Sequence, residues 1–275
     1  MIVSAPSSIE PLDAACIRSA LPAGVQLGGL SVHGAIDSTN SWLQERSRAL
    51  AVPYACLCEH QLAGRGRRGR VWEDGAGRDL CLSLLWRFGV EEARAQGLSL
   101  GVGVAVARAL ESTGVSGIGL KWPNDIVWRD RKLGGILIEG SVSGRDWVVV
   151  IGVGINIHPA AEPDMRVPRV HLATMPGAEI SRNRLAASLI AEISAECARY
   201  EAQGAGPAIE EWKRLDAMRG RAVRVHRPGG EVAGIARGVD EAGELLVEVN
   251  GGLERFVSAE VSLRPGSRDR MGDAA

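Results

Sequence analysis

Residues 64–70 read Gly-Arg-Gly-Arg-Arg-Gly-Arg, three glycines alternating with four arginines and no acid among them. As Gly64-x-Gly66-x-x-Gly69 the stretch matches the dinucleotide-binding fingerprint letter for letter, which would make the fold a doubly wound parallel sheet. That fingerprint needs a helix directly behind it and an acidic residue about 20 positions on. Here it runs instead into Val71-Trp72-Glu73-Asp74-Gly75-Ala76-Gly77, which is more loop. An arginine-glycine tail for nucleic acid would be terminal and longer, whereas this stretch sits between apolar runs. What remains is a cationic loop inside a folded domain. Its glycines let backbone N–H groups approach an anion, and its arginines carry charge that cannot be titrated away. A nucleoside triphosphate, enclosed while it reacts, suits such a loop.

Lysine is the next signal. Lys and Arg together number 32, yet only Lys121, Lys132 and Lys213 are lysine. Two of the three lie in one segment, Lys121-Trp122-Pro123-Asn124-Asp125-Ile126 through Lys132-Leu133-Gly134-Gly135-Ile136. A compact ammonium and a planar guanidinium are not interchangeable against a phosphate or carboxylate oxygen. Together with the loop, the segment marks a site.

Composition sets the limits. A chain of 275 residues supports one large domain, or a large and a small one. The net charge of −1 gives no global basic field, so neither a membrane surface nor specific DNA is expected as a partner. Five cysteines, odd in number and without paired spacing, argue against a disulfide framework. Cys56 and Cys58 share one face of a strand and read as core. The N-terminus carries no basic-then-apolar leader. The longest apolar run, 148–157, is interrupted by Gly152, Gly154 and Asn156 and is far short of the ~20 residues of a membrane span. A soluble, cytoplasmic protein is expected.

Residues 1–11 are rich in Ser and Pro and expected to be flexible. Ser41, with Gln44 three positions on, predicts a helix start before 42–50. Strands are expected over 55–59 and 79–88, and a helix over 97–112 that stops at Gly114. Short β-branched runs follow at 119–122, 135–139 and 147–157, with turns at Asp130-Arg131 and Ser143-Gly144. Helices are expected over 181–203 and 207–218. Beyond Gly220, short strands at 223–226, 232–237, 245–250 and 253–257 predict a small β-barrel of roughly 45 residues. The division is 12–218 for the larger domain and 219–265 for the smaller. A disordered polar tail is expected over 266–275.

Four motifs occur in one order: Gly-Arg-Gly-Arg-Arg-Gly-Arg, Lys-Trp-Pro-Asn-Asp-Ile, Lys-Leu-Gly-Gly-Ile-Leu and Ile-Gly-Val-Gly-Ile-Asn. In that order, and with Ser38-Thr39-Asn40 and Gln61 in place, the chain resembles the biotin protein ligases (biotin–acetyl-CoA-carboxylase ligases) over about 12–265. The resemblance implies an α+β fold: a mixed β-sheet flanked by helices, class II synthetase-like, with a C-terminal SH3-like barrel. It implies ATP-dependent joining of biotin, through biotinoyl-5′-AMP, to a lysine of a biotin carboxyl carrier protein. Members that also repress transcription carry an N-terminal helix-turn-helix of roughly 60 residues. The resemblance here begins almost at once, so a monofunctional type is expected; a homodimer is left open.

The residues suit that chemistry. Attack of a carboxylate on an α-phosphate brings two anions together, and fixed cations with Mg²⁺ must offset the repulsion. Arg65 and Arg67, with the amide of Gly66, are placed to hold the carboxylate and phosphates, and Arg68 adds charge toward ATP. Lys132 is the expected bridge between carboxylate and α-phosphate, supported by Lys121. Asp125 is the expected Mg²⁺ ligand with Asn124 beside it, although Asn-Asp after proline is also an ordinary turn. Ser38, Thr39, Asn40 and Gln61 offer short polar groups to a ureido ring, and a helix cap would use the same residue types. Gly135 and Ile136 give close backbone approach and an apolar wall. Trp72 would cover the adenine, Asn156 would meet ribose or phosphate, and Arg237 in Gly234-Ile-Ala-Arg-Gly238 would, by the resemblance, reach back from the barrel to the nucleotide. A lipoate or octanoyl ligase of the same fold is the main alternative, and a nucleic-acid-binding module a more distant one.

Overall fold

The computed structural model describes residues 9–89, 95–159, 169–227, 230–257 and 262–265. The loose N-terminus expected over 1–11 therefore lies outside the described residues up to residue 8, and the tail expected over 266–275 lies wholly outside them.

A seven-stranded mixed sheet forms the frame. Strand β1 (Gly29–Ile36) pairs parallel with β2 (Tyr54–Gln61). From β2 the ladder continues antiparallel through β3 (Leu80–Gly89), β7 (Asp146–Ile155), β6 (Arg131–Ser143), β5 (Asp125–Trp128) and β4 (Gly119–Lys121). The two faces follow from period-two alternation. On β7, Val149, Ile151, Val153 and Ile155 enter the main core with the apolar faces of α3 (Ala95–Glu111) and α4 (Arg182–Gln203). Val148 and Val150 point the other way, into a second cluster beneath α2 (Thr39–Arg46). Continuing along that second face come Gly152 and Gly154, where side chains stop and a cleft begins. The short α1 (Ala14–Ala20) packs on α4, and α5 (Gly206–Leu215) on α3.

The C-terminal unit is a five-stranded antiparallel sheet of β8 (Ala222–Arg227), β9 (Gly230–Val239), β10 (Leu245–Val249), β11 (Gly252–Phe256) and β12 (Ser262–Pro265) in the order β11-β10-β9-β8-β12. Val223, Val225, Ala236, Leu245, Val247 and Phe256 fill its interior. Asn250 and Gly251 have φ of 50° and 81°, the paired positive values of a tight hairpin turn. Trp122, at the end of β4, ties the units together by donating its indole N–H to the Gly243 carbonyl at 3.0 Å.

Several boundaries differ from expectation. Helix α2 starts three residues earlier, capped at Ser38 rather than Ser41, because the Ser38 carbonyl already accepts from Trp42 N–H at 2.9 Å. Strands β1, β5 and β12 and helix α1 were not anticipated. β1 is a partly exposed edge strand whose burial does not alternate cleanly, and α1 is a single short helix of seven residues. The turn after β5 falls at Arg129 and Asp130, with φ of 46° and 65°, one residue before the expected pair.

Candidate functional site

The cleft, about 720 Å³, is of a size that takes a small-molecule ligand. Its floor is the stretch of sheet left bare by glycine. A Cβ on Gly152 would lie 2.4 Å from Asn40 Oδ1, and one on Gly154 would lie 2.4 Å from Trp72 Cζ2. Both glycines therefore make room for a side chain that lines the cleft. In the sequence they interrupt an apolar run and belong to the Ile-Gly-Val-Gly-Ile-Asn motif, but neither fact shows what occupies the space above them.

At one end lie Ser38, Thr39, Asn40 and Gln61, all buried. Ser38 occupies the cap position of α2 but makes no capping hydrogen bond with its side chain. Thr39 donates to Gln61 Oε1 from its backbone N–H at 3.0 Å and its hydroxyl at 3.2 Å. Ser83 Oγ, on β3, stands 2.7 Å from Thr39 Oγ1 and 2.5 Å from Asn40 Oδ1. Asn40 Nδ2 donates to Glu139 Oε2 at 2.8 Å, and Arg65 pairs with the same oxygen at 2.8 Å. Thr39, Asn40, Gln61, Ser83, Glu139 and Arg65 thus form one linked polar network that fixes their orientations beside Ser38. Arg65 is thus tied to Glu139 and, at 3.1 Å, to Gln44, rather than pointing toward the loop's other cations.

At the other end Asp125 binds two lysines. Lys132 Nζ donates to Oδ1 at 2.6 Å, and Lys121 Nζ lies 3.1 Å from Oδ2. Lys121 and Asp125 are register partners on β4 and β5, while Lys132 faces β5 from β6. Burial opposes ionisation of Asp125, but the two ammonium groups outweigh it and hold its carboxyl below the ordinary carboxylate value. One acid between two bases leaves net positive charge on rigid strands. Asn124 donates to the Ile136 carbonyl at 2.6 Å and accepts from Arg67 at 3.3 Å. Burial, with Arg68 adjacent, pushes the Arg67 guanidinium down from its usual pKa, so an incoming anion is favoured there.

The arginine loop folds on itself. Gly66 N–H donates to the Arg70 carbonyl at 2.7 Å, and Trp72 N–H to the Gly64 carbonyl at 2.9 Å. Arg68, at φ 57°, and Gly69, at φ 72°, make the reversal. Trp72 crosses the cleft floor over Gly154, with Lys132 Nζ 5.6 Å from its ring centroid, in cation–π range. Asn156 is buried and donates to the Lys132 carbonyl at 3.1 Å. It therefore holds the lysine's backbone while lining the cleft.

Of the predicted residues, Ser38, Thr39, Asn40, Gln61, Arg65, Gly66, Arg67, Arg68, Trp72, Lys121, Asn124, Asp125, Lys132, Gly135 and Asn156 all line this one cleft. Arg237 does not. It lies on β9 and pairs with Glu248 of β10 at 2.7 Å. The expected Mg²⁺ site at Asp125 does not fit a resident metal. Both of its oxygens already meet ammonium groups, and among the described residues no three His, Cys, Asp or Glu cluster as ligands. Residues missed by sequence reasoning include Ser83, Glu139 and Arg169. Arg169 lines the cleft and donates to the Glu73 carbonyl at 3.1 Å. An alternating polar position in an apolar strand was the available signal for Ser83.

The Biotin/lipoate A/B protein ligase family model matches residues 33–156, and the biotin protein ligase C-terminal domain model matches 220–264. The chain is 39% identical over 263 residues to the bifunctional ligase/repressor BirA of Salmonella typhimurium, covering 95% of this chain and 81% of that protein. It is 36% identical over 250 residues to the biotin–[acetyl-CoA-carboxylase] ligase of Mycobacterium tuberculosis, covering 88% and 91%. The biotin protein ligase from Aquifex aeolicus, solved in complex with biotin and ATP, superposes with a TM-score of 0.75 at 26% identity over 86% of this chain and 99% of that one. Over this extent of both sequence and structure, the chain belongs to the biotin protein ligase family.

Proposed function

We propose that the chain activates biotin with ATP as biotinoyl-5′-AMP and transfers the acyl group to a lysine of a biotin carboxyl carrier protein. One observation carries this reading. A buried polar subsite and a cationic subsite share one cleft, built almost wholly from the residues 33–156 that the family model matches. Ser38 and the network of Thr39, Asn40 and Gln61 offer donors and acceptors to a ureido ring, and Gly135 and Ile136 offer its apolar body a wall. Lys132 then lies where a carboxylate oxygen would meet an α-phosphate. In the first step that oxygen attacks phosphorus and pyrophosphate leaves. In the second, the carrier amine attacks the acyl carbon, the bond to phosphate oxygen breaks, AMP departs with the electron pair and the ammonium proton is lost. Lys132, Lys121 and Arg67 offset the charge that builds between the two anions, where fixed donors in a shielded site act most strongly. Mg²⁺ enters as part of Mg·ATP, held chiefly by phosphate oxygens and water.

Biotin-dependent exchange of pyrophosphate into ATP, with magnesium present, tests the reading. Exchange with biotin and not with lipoate is expected. Folded protein without biotin-dependent exchange would overturn it, and preference for lipoate would move the assignment to the other branch of the family.

A further inference from the structure

Arg182, in the first turn of α4, is 1% exposed. A guanidinium buried this deeply is costly unless its donors are met, and an apolar residue of similar volume commonly serves stability as well or better. Its partners show what the charge is for. One terminal nitrogen donates to the Asp79 carbonyl at 2.8 Å and pairs with Glu59 Oε2 at 2.8 Å. The other donates to the Glu10 carbonyl at 2.9 Å. Three separate segments are thereby pinned: the N-terminal stretch, β2 just before Gln61, and the root of the arginine loop.

Asp79 extends the connection. It is 6% exposed. Its Oδ2 accepts from Gly75 N–H at 2.8 Å and its Oδ1 from Ile157 N–H at 2.9 Å. Gly75 closes the loop limb that carries Trp72 and Glu73, and Ile157 directly follows Asn156. The Glu59 carbonyl accepts from Gly77 N–H at 2.8 Å, so β2 holds the same limb from below. None of Arg182, Glu59 and Asp79 lines the cleft.

We propose that Arg182 and Asp79 are positioning residues for adenylation: a buried strut that fixes the root of the loop and so places Trp72 and Arg67 against the nucleotide. This rests on the proposed function for its kinetic consequence but not for its structural one. Asp79→Asn keeps the side-chain shape, yet its amide turns a donor toward one of the two N–H groups. Arg182→Lys keeps the charge, yet one ammonium cannot reach two carbonyl acceptors and the Glu59 carboxylate on diverging segments.

In ligand-free protein, hydrogen exchange over residues 64–77 should accelerate in Asp79→Asn while β3 and β7 stay protected. In pyrophosphate exchange, KM for ATP should rise about tenfold, less than the ~10²-fold that a 1 Å misplacement at the reacting atoms can cost. Calorimetric binding of biotin alone should stay within about twofold of the parent. Unchanged loop exchange overturns the strut whether or not the enzyme is active. Equal losses for ATP and biotin, tracking the fall in melting temperature, would make the residues merely structural. If Arg182→Lys does not fold, Asp79→Asn and Glu59→Gln carry the test. Absence of exchange activity in the parent would overturn the proposed function alone.

Discussion

The cleft receives positive charge from two regions built differently. The lysine region is strand: β4, β5 and β6 place Lys121 and Lys132 on either side of Asp125, whose carboxylate sets both ammonium positions in advance. The arginine region is a loop that reverses at Arg68 and Gly69. Its cations are spread among separate partners, Arg65 on Glu139 and Arg67 on Asn124. On the proposed function, strand-borne charge is preorganised at the reacting centre, where misplacement is most damaging. Loop-borne charge surrounds the ligand, where closing and opening matter more than a fixed distance. The contrast, on that function, is therefore between charge fixed in advance on strands and charge carried by a loop, Arg67 included, that also encloses what has been made.

The largest effect should come from the strand side. Lys132→Ala should lower single-turnover adenylation by about 10²–10³-fold with little loss of folding, the usual cost of deleting one transition-state donor. Lys132→Arg should also be impaired, because the wider guanidinium cannot sit on Asp125 as the ammonium does. Near-parental rates in both would erase the distinction between the regions. On the loop side, Arg67→Gly removes the contact with Asn124 and adds backbone freedom. It should raise biotin labelling of a bystander protein by roughly tenfold, because the mixed anhydride is no longer shielded; equal labelling by parent and variant would deny the loop its retaining role. Gly154→Ala and Gly152→Ala separate the subsites. The first displaces Trp72 and should weaken ATP about tenfold, and the second displaces Asn40 and should weaken biotin by a similar factor, since both clashes fall near 2.4 Å. Titration calorimetry with each ligand reads the split, and the reverse pattern would mean the two ends are assigned the wrong way round. The smallest effect is a test of the floor. Burial pushes Cys56 and Cys58 up to about 12 and raises Cys81 well above the ordinary thiol value. At pH 8 all three stay protonated, since their values lie above that pH. Native protein should therefore react with a thiol reagent at the exposed Cys16 and leave the floor untouched.

Much of this was legible in the sequence. Glycine-arginine alternation, clustered lysines and the polar triplet at Ser38 each declare a chemical need at adjacent positions, and those residues do converge. What stayed hidden depends on long-range pairing. Ser83 and Glu139 matter because β3 and β6 bring them beside Asn40, a fact no local window contains. Gly152 and Gly154 look like weak points in a strand until another element is known to occupy the space above them. The outcome for Arg237 shows the opposite risk. Its expected reach came from resemblance alone, and a cross-strand pairing with Glu248 uses the side chain instead. The start of α2 moved because a sequence pattern at Ser41 competed with a backbone bond at Ser38, and backbone geometry prevailed.

The scarcity of lysine has a consequence for the fate of the activated acyl group. Biotinoyl-adenylate acylates amines, so a protein that makes it is surrounded by a reagent for its own side chains. Guanidinium groups stay protonated at any physiological pH and do not compete as nucleophiles. The arginines that line the cleft, Arg65, Arg68, Arg70 and Arg169, therefore attract phosphate without becoming targets. Of the three lysines, two share the carboxylate of Asp125, and Lys213 lies on α5 bonded to Glu210 at 2.6 Å. Choosing arginine where charge is needed leaves the foreign lysine as the best acceptor within reach, and makes the ligase a poor substrate for itself.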